Sequence, residues 1–324
     1  MSKVITVRVC VDPEDHKFHK KDEADENDQD FVETTPSICL DEPDENDSIM
    51  KWAKSNINED PDFKIQIIEE FRNMIFEKGE CDPDRTDDAY LLRFLRARHF
   101  IIRMAHRLIV NHENFKKSYP EFFTDLDYMK IWDIGETEIF SIPPYVDKEG
   151  RRMLIVRFGK WDPSQFTTDE LFQSIIMMIQ IASLEPKFQI LGGVCIIDAA
   201  DIGTGQAWYL TPTIIKHILS VAYGAFPHRV HALHIINASK IFDYAFGMIR
   251  PFLSVIMKQR IFIHSNFDSL HKHIEPKYLP KRYGGIHKDY FYRDWLSELK
   301  NCDPLIEELE LYGYEGCREF IENI

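Results

Sequence analysis

The sequence predicts an α/β chain, with a three-helix bundle on the amino-terminal side of an α/β domain built on a mixed sheet. Three observations carry this expectation. Apolar residues recur at helical spacing from about residue 48 to 125. From about 130 to 290, short β-branched runs alternate with amphipathic stretches, the pattern of strands joined by helical crossovers. Finally, the 324 residues are 44% hydrophobic and 29% charged, which suits a chain with a substantial core.

In chain order, residues 1–47 stand apart. Asp22, Glu23, Asp25, Glu26, Asp28 and Asp30 lie among few apolar residues, opposed mainly by Lys17, Lys20 and Lys21. Such a stretch cannot bury enough surface to offset its chain entropy, so a disordered acidic tail is expected, with at most a short strand at 4–11. Asp60-Pro61 caps and opens a helix whose stripe is Phe63, Ile67, Ile68, Phe71, Met74 and Ile75. Thr86 is expected to open the next, with Leu91, Leu92, Phe94 and Leu95 interleaved with Arg93, Arg96 and Arg98. A third carries Ile102, Ala105, Leu108, Ile109 and Phe115. These helices form the bundle expected over 48–125.

Beyond it, strands are predicted at 138–142, 153–158, 191–197, 230–237 and 260–264. The run 191–197 is almost wholly apolar, as in a strand covered on both faces. Thr168 is expected to cap a helix, and further helices are predicted from Thr211-Pro212 and from Ser239 to about Met248, the last interrupted near Pro251. The α/β domain is expected over 126–290. One or two short polar helices should fill an extension over 291–324.

Composition and motifs remove several function classes. Lys+Arg 39 against Asp+Glu 54 gives a net charge of −15, a poor footprint for neutralising nucleic-acid phosphates. The six cysteines are scattered without a paired framework, the first residues lack a signal pattern, and no apolar run spans a bilayer. A cytoplasmic protein with reduced thiols is expected. The chain has no GxSxG, P-loop, HExxH or GxGxxG motif. Asp198, at a strand end, is expected to anchor a loop rather than to act as an acid. Alternation along the strand puts His231 and His234 on opposite faces, so with His228 they should not share a metal. No enzyme, metal or cofactor is expected.

What remains is an apolar excess. Phe172, Ile175 and Ile179 share a helix face, and Gly193, Cys195 and Ile197 share a strand face with small members. That pattern fits either close helix–strand packing or a cavity wall. Ile241, Phe242, Ala245, Phe246, Met248, Ile249 and Phe252 make a helix apolar almost all round, either buried or able to face a ligand and a bilayer in turn. Arg229, Arg250, Lys258 and Arg260 lie close by in sequence. Positive charge there is either plain surface charge or a means of drawing the segment to anionic lipid.

Four ordered motifs then resemble a known family: DDAYLLRFLRAR at 87–98, FPHRVHALHIIN at 226–237, FGMIRPFL at 246–253 and LPKRYGG at 279–285. They are similar to the CRAL-TRIO lipid-binding and transfer proteins, in the branch holding α-tocopherol transfer protein, cellular retinaldehyde-binding protein and the clavesins. The resemblance implies a CRAL-TRIO α/β domain with a hydrophobic pocket and a mobile lid helix. It implies non-enzymatic binding of a small lipophile (a retinoid, tocopherol or carotenoid-like lipid) and its transfer between membranes.

Carried over by position, the pocket would be Phe172, Ile175, Ile179, Cys195, Ile197, Leu210, Ile218, Val221, Ala222, Phe226 and Leu233. The lid at about 239–254 would add Phe242, Ala245, Met248 and Phe252. Ile175 and Ile179 stand where tocopherol-contacting serines would be. A phosphoinositide-binding cleft would use Arg229, His231, Lys258 and Arg260. His231 replaces an expected arginine there and Ile256 an expected lysine, which implies weaker or pH-dependent binding, with His231 gaining charge near pH 6. The resemblance also implies a monomer that associates peripherally with endosomal or plasma membranes. An alternative is a phosphoinositide-binding endosomal trafficking adaptor of the clavesin type.

Overall fold

The structure, a computed structural model, describes residues 38–44, 47–300 and 302–323. Most of the expected acidic tail, including the strand at 4–11, lies outside the described residues. Its last part departs from expectation. Ile38 is buried in the main core, and Glu42 grips Arg96 at 2.6 Å. The cause is Arg96 itself, fully buried and therefore in need of partners, which Glu59, Glu42 and Gln189 supply.

Helix α1 (Ser48–Ile57) starts at Asp47, whose carboxylate accepts from the Ile49 amide. Helix α2 (Pro61–Lys78) has Asp60 as its cap, as the sequence suggests, and ends at Gly79. Helix α3 (Asp88–Ala97) is capped by Asp87 rather than by a start at Thr86, because the Asp87 side chain reaches the Tyr90 amide at 3.0 Å. Helix α4 (Ile102–Ser118) completes the predicted trio, and α2, α3 and α4 pack on one another. Helix α5 (Tyr128–Glu136) follows.

The sheet is built from β1 (Phe140–Ser141), β2 (Met153–Arg157), β3 (Gly193–Asp198), β4 (Val230–Ile236) and β5 (Ile261–Ile263), in that spatial order. Strand β1 runs antiparallel to β2, and the other pairs are parallel. Between β2 and β3 lie α6 (Thr168–Ala182), capped by Thr167 rather than by Thr168 because the Thr167 and Glu170 side chains bond each other's amides, and α7 (Pro186–Leu191). Gly192 joins α7 to β3 at φ +77°, and a Cβ there would stand 2.8 Å from the Arg229 carbonyl, so only glycine fits. Between β3 and β4 lie α8 (Thr204–Ala207) and α9 (Pro212–Leu219), which unwinds into a π-turn at Ser220–Gly224. After β4 come α10 (Lys240–Ile249), a 3₁₀ turn at Arg250–Phe252 enforced by Pro251, and α11 (Val255–Gln259). Helix α12 (Phe267–His271) follows β5.

The sheet's two faces differ. Met153, Ile155, Val194, Ile196 and Ile236 pack solidly against Leu270, Ile274, Tyr278, Leu279 and Tyr283. The opposite face, with Leu154, Val156, Cys195, Ile197 and Leu233, looks toward α6, α9 and α10. Past the sheet, three helices occupy the extension rather than one or two polar ones: α13 (Tyr292–Leu299), α14 (Asp303–Leu311) and α15 (Cys317–Asn323). Their acidic outer positions hide a buried stripe of Tyr292, Trp295, Leu296, Leu305, Ile306 and Leu309. One core runs from α2–α4 through α6 into this extension.

Candidate functional site

The inner face of the sheet does not close on its helices. Between β2–β4, α6, α9 and α10 lies an apolar cavity of about 360 Å³, within the range of small-molecule pockets. Its mark is visible on single side chains. Ile175, Ile179, Cys195, Ile197 and Leu233 lie inside the molecule yet keep accessible surface, while their neighbours Ile176, Val194, Ile196 and His234 are buried. Burial still pushes the Cys195 thiol up to about 12, so it is no nucleophile at neutral pH. The gap that Gly193 was expected to leave is occupied by the Phe188 ring.

Twelve of the residues carried over from the resemblance border this cavity: Phe172, Ile175 and Ile179 on α6, Cys195 and Ile197 on β3, Leu210, Ile218, Val221 and Ala222 around α9, Leu233 on β4, and Phe242 and Ala245 on α10. Three do not. Phe226 is fully buried below it, where the chain leaving the π-turn drops onto α4 and the ring meets Phe115 and His112 at 5.5 and 5.4 Å. Met248 and Phe252 face away, into a second hollow with Tyr223 and Met257. The stripe that α10 turns inward is Phe242, Ala245, Phe246 and Ile249, so Phe246 and Ile249 take the expected places of Met248 and Phe252. The i, i+4 steps 242–246 and 245–249 carried that signal. Trp161, Met178 and Trp295 also line the wall, and no local pattern marks them.

Polar groups in the wall are few. Arg152 is held by Glu185 at 2.5 and 2.7 Å. Gln206 donates to the Trp161 carbonyl at 3.0 Å. His228 and Arg229 sit at the end formed by the starts of β3 and β4. Asp198 lies on the other face and holds a loop, accepting from Asn237 at 2.8 Å and from the Tyr283 hydroxyl at 3.0 Å. His228 is buried, His231 is exposed, and His234 pairs with His264 at 2.9 Å, so the three do not converge. Among the described residues no group of His, Cys, Asp or Glu could hold a metal ion.

The four expected headgroup residues are spread by depth. Lys258 and His231 are exposed, Arg260 is half-buried, and Arg229 is buried against Trp52 with Nη1 donating to the Ile190 carbonyl. Arg260 donates to the Val230 carbonyl at 2.6 Å. Arg98, the last residue of the LLRFLRAR motif, joins them, donating to the Tyr223 carbonyl at 2.6 Å. Among the described residues Arg98, Arg229 and Arg260 have no carboxylate partner. Burial, then Arg260 and Arg151, holds Arg229 down to about 10. The expected charging of His231 near pH 6 is corrected: burial of its inner side, then Arg151, Arg260 and Arg229, hold it down to about 4. It stays neutral at pH 6.

Buried histidines also set a pH window for stability. His112 and His228 are both lowered to about 4, by burial first and then by Lys116 and Arg98 respectively. Unfolded, each titrates near 6.5. The unfolded chain therefore binds more protons between these values. Stability is full above about pH 6.5 and falls on acidification toward 4, by up to about 1.4 kcal/mol per pH unit per histidine. Melting curves at pH 7 and pH 5 should show a lower Tm at pH 5, and His112→Gln should lessen the difference.

Among the described residues no helix is long and apolar enough to cross a membrane. Residues 136–285, which enclose almost the whole cavity, match the CRAL/TRIO domain. The chain is 29% identical over 254 residues to the alpha-tocopherol transfer protein-like protein of Mus musculus, covering 78% of this chain and 74% of that one. It is 31% identical over 256 residues to clavesin-2 of Homo sapiens, 77% of each, and 32% identical over 263 residues to clavesin-1 of Mus musculus, 79% and 73%. With this similarity running well past the domain itself, over a sheet, a cavity and a covering helix in one arrangement, the chain belongs to the CRAL/TRIO family of lipid-binding and transfer proteins.

Proposed function

We propose that the protein carries one small lipophile, of the retinoid, tocopherol or carotenoid-like class, between membranes without altering it. The observation that carries this is the cavity: an apolar hollow of about 360 Å³ beneath a helix whose inner face is Phe242, Ala245, Phe246 and Ile249. Burying a lipophile there gains about 25 cal/mol per Å² of apolar area. No covalent step is invoked. Mass spectrometry of the intact, gently purified protein tests the reading. One lipophile per chain is expected, and an empty protein that also takes up no added retinoid or tocopherol overturns it.

Helix α10 acts as the lid. Its outward side carries Tyr244, 73% exposed, and the turn after it carries Phe252, 68% exposed, with Val255 and Ile256 beyond. Exposed aromatics of this kind gain by entering a bilayer, which would draw the lid off the cavity. Phe252→Asp should slow ligand transfer between vesicles about tenfold, since burying such a side chain contributes about 1.5–3 kcal/mol. Ligand affinity in solution should stay as it was, and a loss of affinity equal to the loss of rate counts against a docking role.

Lys258 and Arg260 would meet an anionic headgroup, a phosphoinositide in particular, at endosomal or plasma membranes, with the protein acting as a monomer. The second reading is the trafficking adaptor of the clavesin type. What favours it is the set of arginines without carboxylate partners. The two readings part on one measurement. A carrier stripped of this charge still loads lipophile, whereas an adaptor loses the only property it has.

A further inference from the structure

We propose that the second hollow continues the cavity and takes the far end of the ligand, so that the site accepts a lipophile carrying a long apolar tail. The inference rests on taking the cavity as the lipophile site, and it names the length class that site accepts.

The two hollows share a wall. Leu210, Leu219, Ala222, Leu253 and Met257 line both. Leu210, Leu219, Ala222 and Leu253 are only half-buried, whereas Met257 is buried. A side chain with space on two sides lacks packing partners on both, so little contact energy holds it in one position. The wall is also made of chain ends and turns rather than of one continuous helix. Leu210 precedes α9, Leu219 ends it, Ala222 lies in the π-turn, and Leu253 follows the 3₁₀ turn at Pro251. The π-turn puts alanine, the smallest member, into this wall, and π-turns of this kind recur at functional sites. Leucine and methionine carry no β-branch and rotate readily, and methionine adapts to irregular space.

Size and surface point to the same occupant. The cavity alone, at about 360 Å³, lies at the low end of small-molecule pockets, which run from about 300 to 1,000 Å³. It suits a compact lipophile, and greater length needs the hollow of about 750 Å³ behind the wall. There Ile215 and Met248 extend the apolar surface, with Lys216 and Ser220 among the polar members, and Phe252, 68% exposed, stands where the hollow opens outward. Apolar surface of this kind is unfavourable in water, and a tail entering from the cavity would cover it. Continuity with the cavity makes the occupant the other end of the same molecule.

The test uses the full chain, phosphatidylcholine vesicles and two probes with one polyene in common: retinol and retinyl palmitate. Protein is separated from the vesicles, and its lipophile is extracted and weighed by mass spectrometry. The unmodified chain should load both probes. Met248→Trp fills the second hollow without touching the cavity. It should lower loading of the ester about tenfold or more, the worth of about two buried methylenes, and leave retinol within about twofold. Ser220→Trp projects into the same hollow and serves if Met248→Trp folds poorly. Loading of retinol but not of the ester by the unmodified chain overturns the proposal and leaves the cavity standing. Undiminished ester loading by the folded tryptophan variants overturns it too, because the tail then lies elsewhere. One phosphatidylcholine per chain recovered together with retinol gives the hollow to a second lipid and likewise overturns it. Failure of both probes with the unmodified chain removes the cavity reading itself.

Discussion

Replacing Cys195 by tryptophan should abolish lipophile loading, by about a hundredfold or more, while leaving a folded protein. The residue lies midway along β3 on the inner face, and its side chain looks into the hollow. An indole there occupies space that no protein atom needs, so little of the usual strain of overpacking arises. The comparison on α6 shows why position decides the outcome. Ile176 and Ile179 are three residues apart, but Ile176 is 0% exposed in solid core whereas Ile179 faces the cavity. Ile176→Ala should cost about 2–5 kcal/mol, as for other large-to-small changes in a filled core. Ile179→Ala should cost clearly less, because its outer side already lacks packing partners. Chemical denaturation measures the stabilities and mass spectrometry the loading. Normal loading of Cys195→Trp would mean that the lipophile lodges elsewhere.

Neutralising Lys258 and Arg260 together should weaken binding to anionic vesicles about thirtyfold. Each basic residue near an anionic surface contributes about 1 kcal/mol, and two make about 2 kcal/mol. Lys258 is exposed and Arg260 half-buried, and no carboxylate pairs with either among the described residues, so the charge is available to a headgroup. The effect should shrink as salt is raised toward 0.5 M, because screening shortens the reach of these charges. Arg229 is the wrong choice for this experiment. It is buried, tied to the Ile190 carbonyl and stacked over Trp52 at 5.6 Å, so changing it would disturb packing as well as charge. Lipophile loading should be unaffected by Lys258→Gln and Arg260→Gln. With His231 held down to about 4 in the free protein, lowering the pH from 7 to 6 adds no charge at that residue. Co-sedimentation with phosphoinositide and phosphatidylserine vesicles of equal charge checks the first expectation and reveals any headgroup preference.

The alternation of strands and helices, and the caps at Asp60, Thr211 and Ser239, could be seen in the linear order of residues because neighbours within a few positions produce them. The same locality explains the placement of Phe172, Ile175 and Ile179 on one wall, since the helical repeat alone sets them side by side. Phe226 was misplaced because the π-turn, which no short pattern announced, drops the following chain toward α4. Met248 and Phe252 were misplaced because an apolar helix offers more than one candidate stripe, and the neighbouring sheet chooses among them. The polarity of 291–324 misled in a similar way. Its outer carboxylates are plain in the sequence, whereas the partners of Trp295 and Leu305 come from α5 and α6, far away along the chain.

The sequence by itself determined the order of the five strands and of the main helices between them, the family through its four motifs, and the apolar character of one strand face and two helix faces. Whether those faces would meet or stand apart was decided only by the tertiary structure. So were the burial of Arg229 and the neutral state of His231. The physical reason is that periodicity reports the direction of a side chain from its own backbone. An empty volume, a desolvated charge or a missing hydrogen-bond partner depends on atoms brought close by folding from distant parts of the chain.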